Sequence, residues 1–406
     1  MACPFQHGSV PATRMPLAAA IAVTTSSGAA SESAGTSTSD AASSGERQPV
    51  YYGDYLRLGT LLSLQQPEST HGGTRKAAHD EHLFIVIHQV YELWFKQILH
   101  ELESIREIFS TDHIKERDML TIVNRLGRVV EIEKIMVDQI NILETMTALD
   151  FMEFRDYLVP ASGFQSSQFR VLETLLGLRP ENRTRYSQET YWNAFSDDDA
   201  GKLREAEGKR SFLELMERWL ERTPGLHPDE FDFWSKYKAA VNDILAANRA
   251  QVDHAELTPE TRQAVLAECD KNELSFQSVF DPAKHAELRE KGERRLSHKA
   301  MQGAIMIFLY RDEPRFHLPF KMLNLLMDVD AFFSKWRYQH VMMVHRMIGN
   351  KLGTGGSSGY QYLRSTISDK YRIFIDLFNI STYLIPRSKT PPLSESMARK
   401  LNVFME

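Results

Sequence analysis

The sequence predicts an all-α fold, on three observations. From Gln48 onward, apolar residues recur at the three-and-four spacing of a helix face. Alternating apolar and polar runs bounded by turn residues are scarce, and no hairpin signal is convincing. Helix-start and helix-stop residues bracket the apolar runs. The expected architecture is a helical bundle whose facing side chains form an internal pocket, with a smaller helical insertion near 190–290. The limits expected are a tail over 1–47, a helical domain over 48–390 and a C-terminal tail over 391–406. No internal repeat is visible.

The elements follow in order. Residues 24–45 are dominated by Ser, Thr, Ala and Gly, with almost nothing apolar to bury, so a disordered tail is expected. Arg14 followed by the apolar run 15–23 has some features of a targeting peptide, but that run is short, contains Pro16 and lies well inside the chain. Asp80 is expected to cap a helix running to about Phe109, with Phe84, His88, Tyr91 and Phe95 along one face. A second long helix is expected from Asp118 to Met146, with Leu120, Val123, Leu126, Val130 and Val137 buried. Residues 196–210 and 250–273 are polar and charged, which predicts loops or exposed helices. Ser211 and Glu214 form a capping-box signature, and that helix stops at Thr223-Pro224-Gly225. Ser297 is expected to start a helix through Met301, Ile305 and Phe308. The longest helix is expected from Pro319 to Gly349, and Ser368 precedes a last apolar run, Tyr371 to Phe378.

Composition excludes several classes. With a net charge of −6 and no basic run, nothing points to nucleic acid. Cys3 and Cys269 are the only cysteines, too few for a disulfide framework or a thiolate zinc site. No apolar stretch approaches the length of a membrane span. A reduced, cytoplasmic setting is expected.

Motif spacing excludes more. A carboxylate-bridged di-iron bundle needs Glu-x-x-His on each of two helices, and only Glu68 and His71 have that spacing, in a poor helix. His100-Glu101 is followed by Ser104 where a zinc protease needs His. Gly355-Gly356-Ser357-Ser358-Gly359 matches a hydrolase elbow, but a helix precedes it and no His follows His345. No Lys follows its last glycine, so it is not a phosphate loop.

The positive case rests on five segments. On the helix carrying His340, at about 100° per residue, Phe333, Trp336, Val344 and Met347 fall within about 40° of His340, an apolar and aromatic face. His345 lies about 140° away, beside Ser334 and Tyr338. On periodicity alone, a lone His on an apolar face is more often a hydrogen-bonded core residue than a metal ligand. His88 shares a face with Phe84, and a backbone carbonyl could satisfy it. Arg155 follows Phe151 by four residues and could pair with Glu153 or Asp156. The run Gly353 to Gly359 reads as a flexible connection. Tyr52-Gly53-Asp54-Tyr55-Leu56 reads as ordinary helix packing.

Together these segments resemble the tryptophan 2,3-dioxygenase family. The resemblance is carried by His79-Asp80-Glu81-His82-Leu83-Phe84, Trp336-Arg337-Tyr338-Gln339-His340, Pro160-Ala161-Ser162-Gly163-Phe164-Gln165-Ser166 and Gly353-Thr354-Gly355-Gly356-Ser357-Ser358-Gly359. It runs from about Tyr51 to Arg387.

The resemblance implies a bundle enclosing haem b, with His340 as axial ligand to iron that is ferrous in the active form. Trp336, Ser162 and Gly163 would border the haem pocket. Phe84 would pack on the substrate's indole and His88 would sit near its N–H. Arg155 would bind the carboxylate, Phe151 would line the same pocket, and Thr354 would contact the ammonium and carboxylate. Some relatives carry Tyr at the position of Phe151, so one polar contact would be missing here. Tyr52 and Tyr55 would complete a neighbouring subunit's pocket in a homotetramer. The reaction implied inserts both atoms of O2 across the indole C2–C3 bond of L-tryptophan. It gives N-formyl-L-kynurenine, as the first step of tryptophan degradation by the kynurenine pathway. A haem-binding sensor without turnover, or a helical scaffold without cofactor, remains open at this point.

Overall fold

The computed structural model describes residues 49–70, 76–111, 113–183 and 191–402. The tail expected over 1–47, and His71, lie outside the described residues. The chain divides into two units, Met1–Gly59 and Thr60–Glu406. In the first, a single turn, α1 (Tyr52–Tyr55), exposes every side chain. A second turn, α2 (Leu58–Leu61), spans the division.

The second unit is helical throughout, with no strand among the described residues. Its long helices are α3 (His79–Phe109), α4 (Glu116–Leu143) and, far along the chain, α13 (Pro314–Ile348). Between them come α5 (Ala148–Met152), α6 (Ser167–Leu176), α7 (Asp197–Glu207), α8 (Phe212–Leu220), α9 (Phe233–His254), α10 (Pro259–Phe280), α11 (Pro282–Glu290) and α12 (His298–Leu309). After α13 follow α14 (Tyr360–Ser365), α15 (Ile375–Asn379) and α16 (Glu395–Leu401). The α13 helix lies along α4, α4 along α3, and α3 along α6. Ile98, Ile105, Ile122, Leu126, Leu172, Leu323 and Leu326 close the core between them. No helix of the described residues is long and apolar enough to cross a membrane.

Local chemistry explains the boundaries. Ser211 accepts from the Glu214 N–H while Glu214 accepts from the Ser211 N–H, the reciprocal box expected. Ser297 caps α12 through the Ala300 N–H. The start of α3 differs from expectation. Asp80 is in its first turn, not at its cap; Ala78 holds that place, and Ser69 Oγ accepts the Ala78 N–H at 2.9 Å. The neighbouring Glu81 is fully buried, its two oxygens accepting the N–H groups of Glu68 and Ser69 at 2.7 and 3.0 Å. The α13 helix begins at Pro314, five residues before Pro319. Proline is favoured in a first turn, and Pro319 removes a hydrogen bond only near that end. Leu120 was expected inside and is 49% exposed, because Met119, one position and about 100° away, takes the inward place.

Two carboxylates tie distant segments together. Asp330 of α13 accepts the N–H groups of Ile373 and Phe374, both at 3.0 Å. Asp376 accepts those of Arg295 and Leu296 at 2.6 and 2.7 Å. The polar stretches form α7 and the α9–α10 pair, whose outward faces are solvated. Met397 and Leu401 of α16 are buried in the core.

Candidate active site

A cavity of about 280 Å³ opens inside the bundle, walled by α3, α13, the segment 151–173 and the loop before α14. Its surface is mostly apolar and aromatic, with a few polar groups converging on it, the usual chemistry of a small-molecule site. Phe84, His88, Phe151, Arg155, Ser162, Gly163, Trp336, His340 and Thr354 all line it. Residues far apart in sequence are thereby brought to one space.

His340 projects from α13 with no hydrogen bond to its imidazole among the described residues. Trp336, one turn earlier, stacks on it at 5.3 Å between ring centroids and 5° between planes. Burial, with a smaller contribution from His88, pulls its pKa down to about 4. The imidazole is therefore neutral near pH 7, with a lone pair available. Tyr91 supports this wall from α3: its ring meets Trp336 edge-on at 6.0 Å and its hydroxyl donates to the Met136 carbonyl at 2.7 Å. Burial pushes the Tyr91 hydroxyl up to about 12. His345, by contrast, is exposed and stacks on Tyr360 at 4.0 Å.

On α3, the His88 Nδ1–H donates to the Phe84 carbonyl at 2.7 Å. A carbonyl can only accept, so Nδ1 carries the proton and Nε2 is left as an acceptor. His88 counts as exposed by surface area, but the surface it presents is cavity wall. Burial lowers its pKa, against the Phe84 carbonyl and Glu92, which raise it. The Phe84 ring lies 4.1 Å from His88, 5.7 Å from Phe151 and 5.5 Å from Phe154, an aromatic cluster of tilted and edge-on rings.

Arg155 opens a short 3-10 turn and donates to the carbonyl of Leu352. It makes no ion pair with Glu153 or Asp156 among the described residues. Thr354 Oγ1 donates to the Ala161 carbonyl at 2.6 Å, so the glycine loop is fastened to the segment beside Arg155. Ser162 caps the next turn, accepting the Phe164 N–H while Gln165 accepts its own N–H. The loop needs glycine at Gly359, where φ is +54° and an added Cβ would lie 3.1 Å from the Lys351 carbonyl. Ser357 is buried with its Oγ accepting the Gly359 N–H, a structural bond rather than a nucleophile's place. Glu101 is likewise committed, to Arg128 at 2.6 Å and Gln97 at 2.7 Å.

Tyr52 and Tyr55 belong to the first unit, where both rings are exposed, 75% and 74%. Phe333, expected on the His340 face, is buried against Phe169. Sequence reasoning missed a buried charged cluster on the cavity wall, Arg170, Glu173 and Arg337. Arg170 and Glu173 stand three apart on α6, a spacing indistinguishable in sequence from a solvated surface pair.

The comparisons agree with this geometry. The sequence model of the family described as tryptophan 2,3-dioxygenase matches residues 35–384, beginning ahead of the motifs noted above. A tryptophan 2,3-dioxygenase of Anopheles gambiae is 53% identical over 362 residues, 88% of this chain and 91% of that protein. Tryptophan 2,3-dioxygenase B of Danio rerio is 51% identical, covering 86% of this chain and 85% of its own length. One of Dictyostelium discoideum is 51% identical, covering 87% and 88%. With the match spanning most of the chain, this protein belongs to the tryptophan 2,3-dioxygenase family.

Proposed function

We propose that this chain is a haem-dependent dioxygenase that opens the indole ring of L-tryptophan, giving N-formyl-L-kynurenine. The observation that carries the reading is an imidazole, His340, that is neutral and has no hydrogen bond among the described residues, in an aromatic cavity that also holds the acceptor nitrogen of His88 and the fork of Arg155.

The donor set fits a haem. His340 offers one nitrogen ligand from an apolar wall, and Trp336 fixes the plane of its ring. The sequence has no Cys-x-x-Cys-His run, so thioether links are not expected, and haem b is the form proposed. When bound with ferrous iron, the haem supplies the activation of O2. Both oxygen atoms enter the product, so the reaction balances without an external reductant.

The chain's own residues bind and orient. Arg155 grips the substrate carboxylate through two parallel N–H groups, and Thr354 holds the amino-acid end from the loop. Phe84 packs on the indole and Phe151 lines the same pocket, while His88 Nε2 accepts the indole N–H without removing the proton. Fixing C2 and C3 in one orientation contributes a large proximity effect. The loop over Gly353 to Gly359 excludes water.

Tyr52 and Tyr55 complete the site of a neighbouring subunit in a homotetramer; the support is the exposure of two large aromatic rings on one short turn. The enzyme works in the cytoplasm, a placement supported by its sparse cysteines. The test is an absorption spectrum of the purified full-length chain with and without L-tryptophan and O2, with product followed. A haem Soret band and N-formyl-L-kynurenine are expected. Haem without product would overturn the enzymatic reading.

A further inference from the structure

A histidine that ligates a metal ordinarily has its ring plane set from behind, by a hydrogen bond from its other nitrogen to a carboxylate, a carbonyl or water. No side chain or carbonyl among the described residues makes such a bond to His340. Its ring instead lies against the indole of Trp336, at 5.3 Å between centroids and 5° between planes. The direction of the imidazole therefore follows the direction of Trp336.

Three rings pack on Trp336 in turn. Tyr91 and Phe95 of α3 meet it edge-on, at 6.0 and 6.4 Å with 64° and 89° between planes. Phe169 of α6 lies 5.2 Å away, tilted by 45°. Ring contacts of this kind tolerate a range of angles and distances, so by themselves they fill space better than they fix a tilt. Of the three, only Tyr91 carries a directional anchor. Its hydroxyl donates to the Met136 carbonyl of α4 at 2.7 Å, and the side chain is buried, so water does not compete for the bond. Gln139 of α4 donates back to the Ile87 carbonyl of α3 at 3.3 Å, which ties the two helices in both directions beside this ring.

We propose that Tyr91 is the positioning residue for the iron ligand. A chain of contacts from the Met136 carbonyl through Tyr91 and Trp336 sets the plane of the His340 imidazole, in place of a hydrogen bond to the imidazole itself. This rests on the haem reading above. The anchor belongs to α4, the buttress to α3, and the indole and imidazole to α13, so the packing of the three long helices fixes the direction in which the ligand meets iron.

The test uses the full-length chain loaded with ferric haem and cyanide. In such a complex the proton shifts of the four ring methyls of the haem form a pattern that follows the direction of the axial imidazole plane. Tyr91→Phe removes one oxygen and keeps the ring. It should weaken haem binding by no more than about tenfold, the scale of one buried hydrogen bond, and it should rearrange or broaden the methyl pattern. Trp336→Leu should disturb the pattern further. Tyr310→Phe is the control, because it loses a bond of the same kind, a buried hydroxyl on the Pro391 carbonyl at 2.7 Å, away from the cavity wall. It should lower the melting temperature about as much as Tyr91→Phe does and leave the wild-type pattern intact. A wild-type pattern in Tyr91→Phe would overturn the proposal, since the hydroxyl would then serve stability alone. So would an equal disturbance in Tyr310→Phe. Should Tyr91→Phe fold without holding haem, Tyr310→Phe still decides: haem kept there supports the positioning role, and haem lost from both overturns it. A wild-type chain that takes up no haem would instead bring down the haem reading itself.

Discussion

The guanidinium of Arg155 donates to the backbone carbonyl of Leu352, the residue just ahead of the glycine loop. Two residues on, Thr354 donates to the Ala161 carbonyl at 2.6 Å, in the opposite direction. Both side chains proposed to hold substrate are thus engaged with neutral carbonyls, which a carboxylate can displace because the charged bond is stronger. The loop and the segment 155–161 are fastened by the groups that substrate would claim.

The first prediction concerns that exchange. Arg155→Lys should not restore wild-type kcat/KM, because an ammonium lacks the planar fork, and the wild-type enzyme should use tryptamine very poorly. Loss of a desolvated charged pair costs roughly 2–5 kcal/mol. Steady-state kinetics on both substrates check this; tryptamine turned over as efficiently as tryptophan would count decisively against the pairing.

Ligation of iron is separable in the same way. His340→Ala should lose most haem or leave it weakly bound and inactive, whereas His345→Ala, altering an exposed ring stacked on Tyr360, should keep a normal spectrum. Full haem occupancy with a native spectrum in His340→Ala would sink the assignment.

A pH dependence of stability follows from Glu133 on α4. Its carboxyl is buried, and neither oxygen has a hydrogen-bond partner among the described residues. Burial raises its pKa well above the ordinary 4.5, and the nearby acids Asp330 and Asp328 raise it further. A raised folded-state pKa gives stability that is fully present below the unfolded value and lost as pH rises through the folded one. Glu133→Gln should remove that loss, so its melting temperature should gain on the wild type as pH rises above about 4.5. Parallel melting curves at several pH values would expose the opposite trend, or none, and either would refute the buried-acid account.

Sharing of the site between subunits can be tested by deletion. Removing residues 2–45 should leave activity nearly intact, while removing 2–57, with Tyr52 and Tyr55, should abolish it even if haem binds. Co-expressing Arg155→Ala with the chain lacking 2–57 should restore activity, since a mixed oligomer unites an intact arm with an intact Arg155. Mixed oligomers that form, bind haem and stay inactive would show that the arm serves its own subunit.

Much of this was legible from residues. The period of α3, α4 and α12 and the caps at Ser211 and Ser297 are local, so short-range physics suffices for them. The separation of His340 from His345 also came from helix geometry. Other features depend on partners remote in sequence. Nothing near Glu81 foretells that it holds the N–H groups of Glu68 and Ser69. Arg337 looks like one basic residue among many until α6 brings Glu173 against it. Leu120 and Met119 are equally apolar, and only the contact surface chooses between them.

Asp330 also bears on the order in which the molecule can be made. Synthesis runs from the N-terminus, so Asp330 leaves the ribosome ahead of Ile373 and Phe374, which follow it by 43 and 44 residues and supply the N–H groups its carboxylate accepts. Until they emerge, an acid destined for the interior has no donors and is better left in water. The wall that carries the proposed iron ligand therefore sets only when nearly the whole chain has been translated. A free chain truncated before Ile373 should remain sensitive to protease along α13, and a chain extended to its full length should be protected there.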